Sequence, residues 1–102
     1  MKTIEAIRQQ LSAGQFEFSQ HAFKRAVERN ISELEIRQAG EHATIIEDYA
    51  DDKYAPSCLL LGYSKARRPL HIQVSYVESD LLKIITIYEP DPKEWYDYTR
   101  RR

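Results

Sequence analysis

The stretch Leu70-His71-Ile72-Gln73-Val74-Ser75-Tyr76-Val77-Glu78-Ser79-Asp80-Leu81-Leu82-Lys83-Ile84-Ile85-Thr86-Ile87-Tyr88 decides the fold. Residues 70–76 and 81–88 are β-branched, aromatic-rich runs on either side of a polar Val77-Glu78-Ser79-Asp80 connection, which reads as an antiparallel hairpin. If the hairpin is symmetrical, Tyr76 pairs with Leu81, His71 falls opposite Thr86, Gln73 faces Ile84, and Tyr88 is diagonal to His71. A similar turn through residues 64–69 pairs Tyr63 with Leu70 and sets Gly62 opposite His71. On this register Leu59, Leu61, Leu70, Ile72, Val74, Ile85 and Ile87 form the apolar face that closes the core. The opposite face gathers His71, Gln73, Thr86 and Tyr88 around a glycine. A slip of one residue scatters that grouping, because side chains alternate faces with a period of two. The plainer alternative is that His71 and Tyr88 satisfy each other on a half-solvated sheet.

Working outward, Thr44–Tyr49 and Ser57–Tyr63 read as two more strands, separated by a polar loop through Asp51, Asp52 and Pro56. Pro90 and Pro92 end the sheet, and residues 93–98 read as a short terminal helix or turn. Ahead of Gly40 the periodicity is helical. Ile4, Ile7 and Leu11 mark a helix over residues 3–13, with Gly14 as its terminator. Phe16-Glu17-Phe18 alternates as a short strand. Ser19 is an N-cap for a helix whose buried stripe is Ala22 and Ala26 with Phe23 and Val27, and Asn30 suits a left-handed helix end. Ser32 and Glu35 have capping-box spacing before Leu34, Ile36 and Ala39, and Gly40 stops that third helix. Helices first and strands after predict one α+β domain over residues 1–102, with N-terminal helices packed on a four-stranded antiparallel sheet.

The composition, 42% hydrophobic and 30% charged in 102 residues, is that of a globular domain and carries neither a membrane-length apolar run nor a signal-peptide core. Cys58, alone in an apolar run, packs rather than pairs, and these features together point to the cytoplasm. A formal net charge of −1 excludes a basic glove for nucleic acid. Any polyanion site must come from local clusters: Arg25 with Arg29, Lys65 with Arg67 and Arg68, or Arg100-Arg101-Arg102. The tyrosines, Tyr49, Tyr54, Tyr63, Tyr76, Tyr88, Tyr96 and Tyr98, suit base stacking or a protein interface equally.

In the segment from Ser19 to Arg29, His21, Arg25 and Arg29 recur at i, i+4 and i+8 and project from one side of the helix. Helix stability does not ask for an imidazole beside two guanidiniums; a solvated face balanced by Glu28 is the bland reading and a phosphate site the sharper one. Metal-independent RNA cleavage needs a base for the ribose 2′-OH, an acid for the 5′-oxygen, and donors for the phosphorane. His71 and His21 supply titratable groups near neutrality, and Arg25 supplies a permanent bidentate cation. Tyr88 can donate a proton or stack. Arg29, Arg68, Gln73 and Thr86 are candidates for holding substrate. His21, His42 and His71 have no zinc-ligand spacing and no cysteine pair, so neither a metal nor another cofactor is expected.

Phe18-Ser19-Gln20-His21-Ala22-Phe23-Lys24-Arg25 with Glu28-Arg29, Ile45-Ile46-Glu47-Asp48-Tyr49, Asp52, Pro56-Ser57-Cys58-Leu59-Leu60-Leu61-Gly62, Arg68-Pro69-Leu70-His71 and Ile85-Thr86-Ile87-Tyr88-Glu89-Pro90 together resemble one family. It is the bacterial domain-of-unknown-function 4258 family, related to RelE-, BrnT- and MqsR-like toxins, and the resemblance covers roughly residues 15–98. It implies a RelE-like α+β fold and a type II toxin that cleaves mRNA, free or on the ribosome. It also implies a cognate antitoxin, of the MqsA-like zinc-finger kind in some relatives. The modest acidity and the lack of a lysine-rich helix depart from strongly basic RelE-like toxins. The alternative is a catalytically inactive RelE-like module that binds protein or RNA.

Overall fold

The computed structural model describes residues 1–53 and 55–102, so Tyr54 lies outside the described residues. Three helices precede most of the sheet: α1 (Ile4–Ser12), α2 (Gln20–Glu28) and α3 (Glu33–Glu41), with the short strand β1 (Phe16–Phe18) between the first two. Then come β2 (Thr44–Tyr49), β3 (Ser57–Tyr63), β4 (Pro69–Ser75), β5 (Leu82–Tyr88), β6 (Trp95–Tyr96) and β7 (Arg100–Arg101).

Local rules account for the helix ends. Thr3, Ser19 and Ser32 each accept the backbone N–H three residues on, and Ser32 with Glu35 completes a capping box. Gly14 (φ 74°) and Asn30 (φ 55°) take the left-handed conformation past the ends of α1 and α2. Gly40 does not stop its helix, contrary to expectation. It lies inside α3, where a Cβ would stand 2.2 Å from Cβ of Leu11, so it is there to let α1 approach.

The expected antiparallel strands β2 to β5 are present, but the sheet among the described residues has five strands and is mixed, in the order β1-β5-β4-β3-β2. Phe16-Glu17-Phe18 pairs parallel to Leu82-Lys83-Ile84 on the outer edge of β5. Residues 93–98, expected as a helix or turn, instead begin a β6–β7 hairpin that forms its own small sheet.

The register also differs from the symmetrical reading. The turn after β3 holds Arg67 in a left-handed conformation (φ 67°) and pairs Tyr63 with Pro69, so Leu61 rather than Gly62 stands opposite His71. Leu59 and Leu61 therefore share the His71 face, and Cys58, Leu60 and Gly62 face the helices. Between β4 and β5 the turn shifts the expected register by one residue, so that Val74 faces Ile84, and a one-residue bulge shifts it by another, which sets His71 opposite Tyr88 and Gln73 opposite Thr86. A bulge at Ile85 then lets Ile87 and Ile84 both enter the core, while Ile85 stays half-buried outside it.

The core joins Ile7 and Leu11 of α1, Ala22 and Ala26 of α2, and Ile36 and Ala39 of α3 to Leu60, Leu70, Ile72, Val74, Leu82, Ile84 and Ile87 of the sheet. Phe23, Val27 and Leu34, expected to join it, are largely exposed: the small Ala22 and Ala26 carry the contact of α2 with the sheet.

A candidate active site between helix α2 and strand β5

β1 ends at Phe18 and pairs only with residues 82–84 of β5, so the second half of β5 has no strand beyond it among the described residues. α2 takes that place. Ser19 fixes its start, with the backbone N–H donating to the Ile84 carbonyl (3.0 Å) and the hydroxyl donating to the Ile85 carbonyl (2.8 Å). Between α2 and the end of β5 lies a cleft of about 370 Å³ lined by Arg25, Arg29, Thr86, Tyr88, Glu89, Asp91 and Glu94. Neither arginine side chain has a hydrogen bond or an ion pair within 4 Å among the described residues.

Behind Tyr88 is His71, fully buried. Its Nε2 lies 2.6 Å from the Tyr98 carbonyl and its Nδ1 lies 3.1 Å from the Tyr88 hydroxyl. A carbonyl oxygen only accepts, so Nε2 carries the proton of the neutral ring and Tyr88 donates its own to Nδ1. Trp95 packs edge-on against the imidazole, with centroids 4.4 Å apart and planes at 88°. Burial pulls the His71 pKa down, against the Tyr98 carbonyl and the Glu47 carboxylate, which both favour the charged ring. Burial likewise pushes the Tyr88 phenol up. At neutral pH this pair is therefore uncharged, with an empty proton acceptor behind a phenol at the cleft wall.

Glu47 accepts from Arg101 through Nε (2.8 Å) and Nη2 (3.1 Å) and also from the Tyr49 hydroxyl, so its pKa is held below the ordinary carboxylate value, chiefly by Arg101. The Arg101 guanidinium also sits 4.8 Å from the Trp95 ring centre. The β6–β7 hairpin is thereby fastened over the His71 face of the sheet.

The remaining candidates lie elsewhere. His21 is exposed one turn before Arg25 and does not line the cleft. Gln73 is next to Thr86 across the strands and donates to the Ser57 hydroxyl at 3.0 Å. Arg68 is outside the cleft wall, with its guanidinium donating to the Arg29 and Asn30 carbonyls past the end of α2 and to the Glu35 and Glu89 carboxylates. The sequence reading missed Glu89, Asp91 and Glu94 on the cleft wall, and Glu47, Trp95 and Arg101 around His71. The one tryptophan in an otherwise polar tail was the available signal for a docked segment.

No curated protein and no solved structure matches the chain. One family model does, across residues 18–89, which takes in α2, β2 to β5 and the cleft residues from Arg25 to Glu89. The chain belongs to the DUF4258 family, a domain of unknown function.

Proposed function

We propose that the α2–β5 cleft is the active site of a metal-independent endoribonuclease, the toxin of a type II toxin–antitoxin pair with a RelE-like fold. The observation that carries the reading is the meeting of two unpaired arginines with a tyrosine whose hydroxyl is hydrogen-bonded to a buried neutral histidine. Arg25 and Arg29 would grip the scissile phosphate and neutralise the phosphorane, and Thr86 would donate to a phosphate oxygen. The ribose 2′-oxygen attacks phosphorus, forming the O2′–P bond as the P–O5′ bond breaks. Its proton passes to the Tyr88 oxygen while the proton of Tyr88 moves to Nδ1 of His71. The resulting imidazolium keeps both its acceptors, and the Glu47 charge favours it while the Arg101 charge opposes it. The leaving 5′-oxygen takes a proton from solvent, or from His21 where the substrate extends along α2. The products are a 2′,3′-cyclic phosphate and a 5′-hydroxyl. Such a protein would work in the cytoplasm on RNA, free or ribosome-bound, and a cognate antitoxin, zinc-finger-bearing in the MqsA manner, would silence it.

Glu89, Asp91 and Glu94 on the same wall favour a second reading, a binding module without catalysis, because they oppose a polyanion at the cleft mouth. Induced expression followed by growth measurement, and purified protein with an RNA oligomer followed by end mapping, separate the two. Cleavage with cyclic phosphate ends is expected, reduced about a hundredfold or more in both Arg25→Ala and Tyr88→Phe. Undiminished cleavage in both variants would remove the site from this cleft, and binding without cleavage in the unmodified protein would favour the binding module.

A further inference from the structure

We infer that the β6–β7 hairpin sets the tautomer of His71 and so aims its acceptor nitrogen at Tyr88, with Arg101 and Glu47 as the positioning pair that holds the hairpin down. This rests on Tyr88 and His71 exchanging a proton as proposed above. The neutral imidazole has one N–H and one lone pair, and the ring's own leaning toward the Nε2–H form is too weak to hold a single tautomer. The Tyr98 carbonyl, 2.6 Å from Nε2, does so. If that carbonyl is withdrawn, both tautomers populate, and the one protonated on Nδ1 donates to Tyr88 where the reaction needs an acceptor.

The hairpin turn is built around that carbonyl. Asp97 (φ 50°) and Tyr98 (φ 62°) occupy the two central positions of a tight turn closed by Thr99 N–H to the Tyr96 carbonyl at 2.9 Å. Aspartate tolerates this left-handed region, whereas a bulky tyrosine there is a local cost that the surrounding contacts must hold. Those contacts are the Trp95 ring against the imidazole, the two-point Arg101–Glu47 ion pair, and Arg101 over Trp95. The hairpin residues lie beyond the span matched by the family, residues 18–89, whereas His71, Tyr88 and Glu47 lie within it.

Arg101 is mostly exposed, so Arg101→Ala can loosen the hairpin without opening the core. Trp95 is the one tryptophan of the sequence and reports docking by its fluorescence. Long-range proton–nitrogen spectra of the labelled full chain should show His71 protonated on Nε2 alone. In Arg101→Ala, and more fully in Trp95→Leu, both tautomers should appear. Trp95 emission in Arg101→Ala should move to longer wavelength. For an RNA oligomer, kcat should fall at least in proportion to the share of His71 that leaves the Nε2–H form, with KM changed less than about twofold, and Arg101→Lys should recover part of the loss. A wild-type His71 protonated on Nδ1 overturns the inference, as does a variant with mixed tautomers and undiminished kcat. If the wild-type protein cleaves no RNA, the ribonuclease reading fails. The hairpin's role is then decided by the spectra, and an unchanged Nε2–H tautomer in both variants overturns it.

Discussion

His71 is kept neutral by where it sits: no water reaches it, and its two nitrogens have one acceptor and one donor as partners. Its folded pKa lies below its unfolded one, so the unfolded chain binds the proton first as pH falls. The stability contributed by the neutral ring is therefore complete above about pH 6.5 and is lost as pH drops through the lower folded value. Glu35 and Glu47, held below the ordinary carboxylate value, contribute in the same direction but in a lower window. Urea midpoints measured from about pH 8 down to pH 5 should thus decline before the carboxylates titrate, and His71→Asn should flatten that first decline. An unchanged decline in the variant would assign it to other groups. Ser19, Asn30 and the Ser32–Glu35 box were legible in the sequence because each acts on backbone within three residues. The partners of Arg68 and Arg101 were not, since Arg68 reaches back 38 residues to Asn30 and Arg101 reaches 54 to Glu47.

At the scale of elements, strand identity was legible and strand register only partly so. β3 reads Ser-Cys-Leu-Leu-Leu-Gly, apolar on both faces, so its sequence holds no alternation to say which side meets the helices. The turn with Arg67 made that decision and moved Gly62 from the His71 side to the helix side. There it serves α3: a Cβ on Gly62 would lie 2.1 Å from the Ala39 carbonyl oxygen. Backbone on both sides leaves little to yield, so Gly62→Ala should cost about 3 kcal/mol or more in chemical unfolding, well above an ordinary strand substitution. A loss of under about 1 kcal/mol would mean that α3 slides readily over β3. His71 and Tyr88, expected as diagonal neighbours, stayed on one face as direct partners because the turn and the bulge at Ile85 each add one residue, an even sum at that end of the hairpin.

For the whole molecule, the α+β order of helices then strands was legible from periodicity, whereas the parallel edge was not. Joining Phe16-Glu17-Phe18 to Leu82-Lys83-Ile84 needs contacts across most of the chain, and no local pattern announces them. That pairing has a kinetic consequence. The strands β2 to β5 are joined by nearby turns, but β1 can dock only after β5 is in place, with a long loop to close. Because α2 follows β1 directly and is anchored through Ser19 to β5, Arg25 and Arg29 reach Tyr88 only after that closure. In refolding experiments, signals from the β2–β5 sheet should therefore recover before phosphate-analogue binding at the cleft. If the Ser19 contacts form after the main barrier, Ser19→Ala should speed unfolding more than it slows folding, and the reverse would place α2 in the folding nucleus. On that order of events the charged half of the cleft arrives late, and a chain that had built only β2 to β5 would still lack the means to grip an anion.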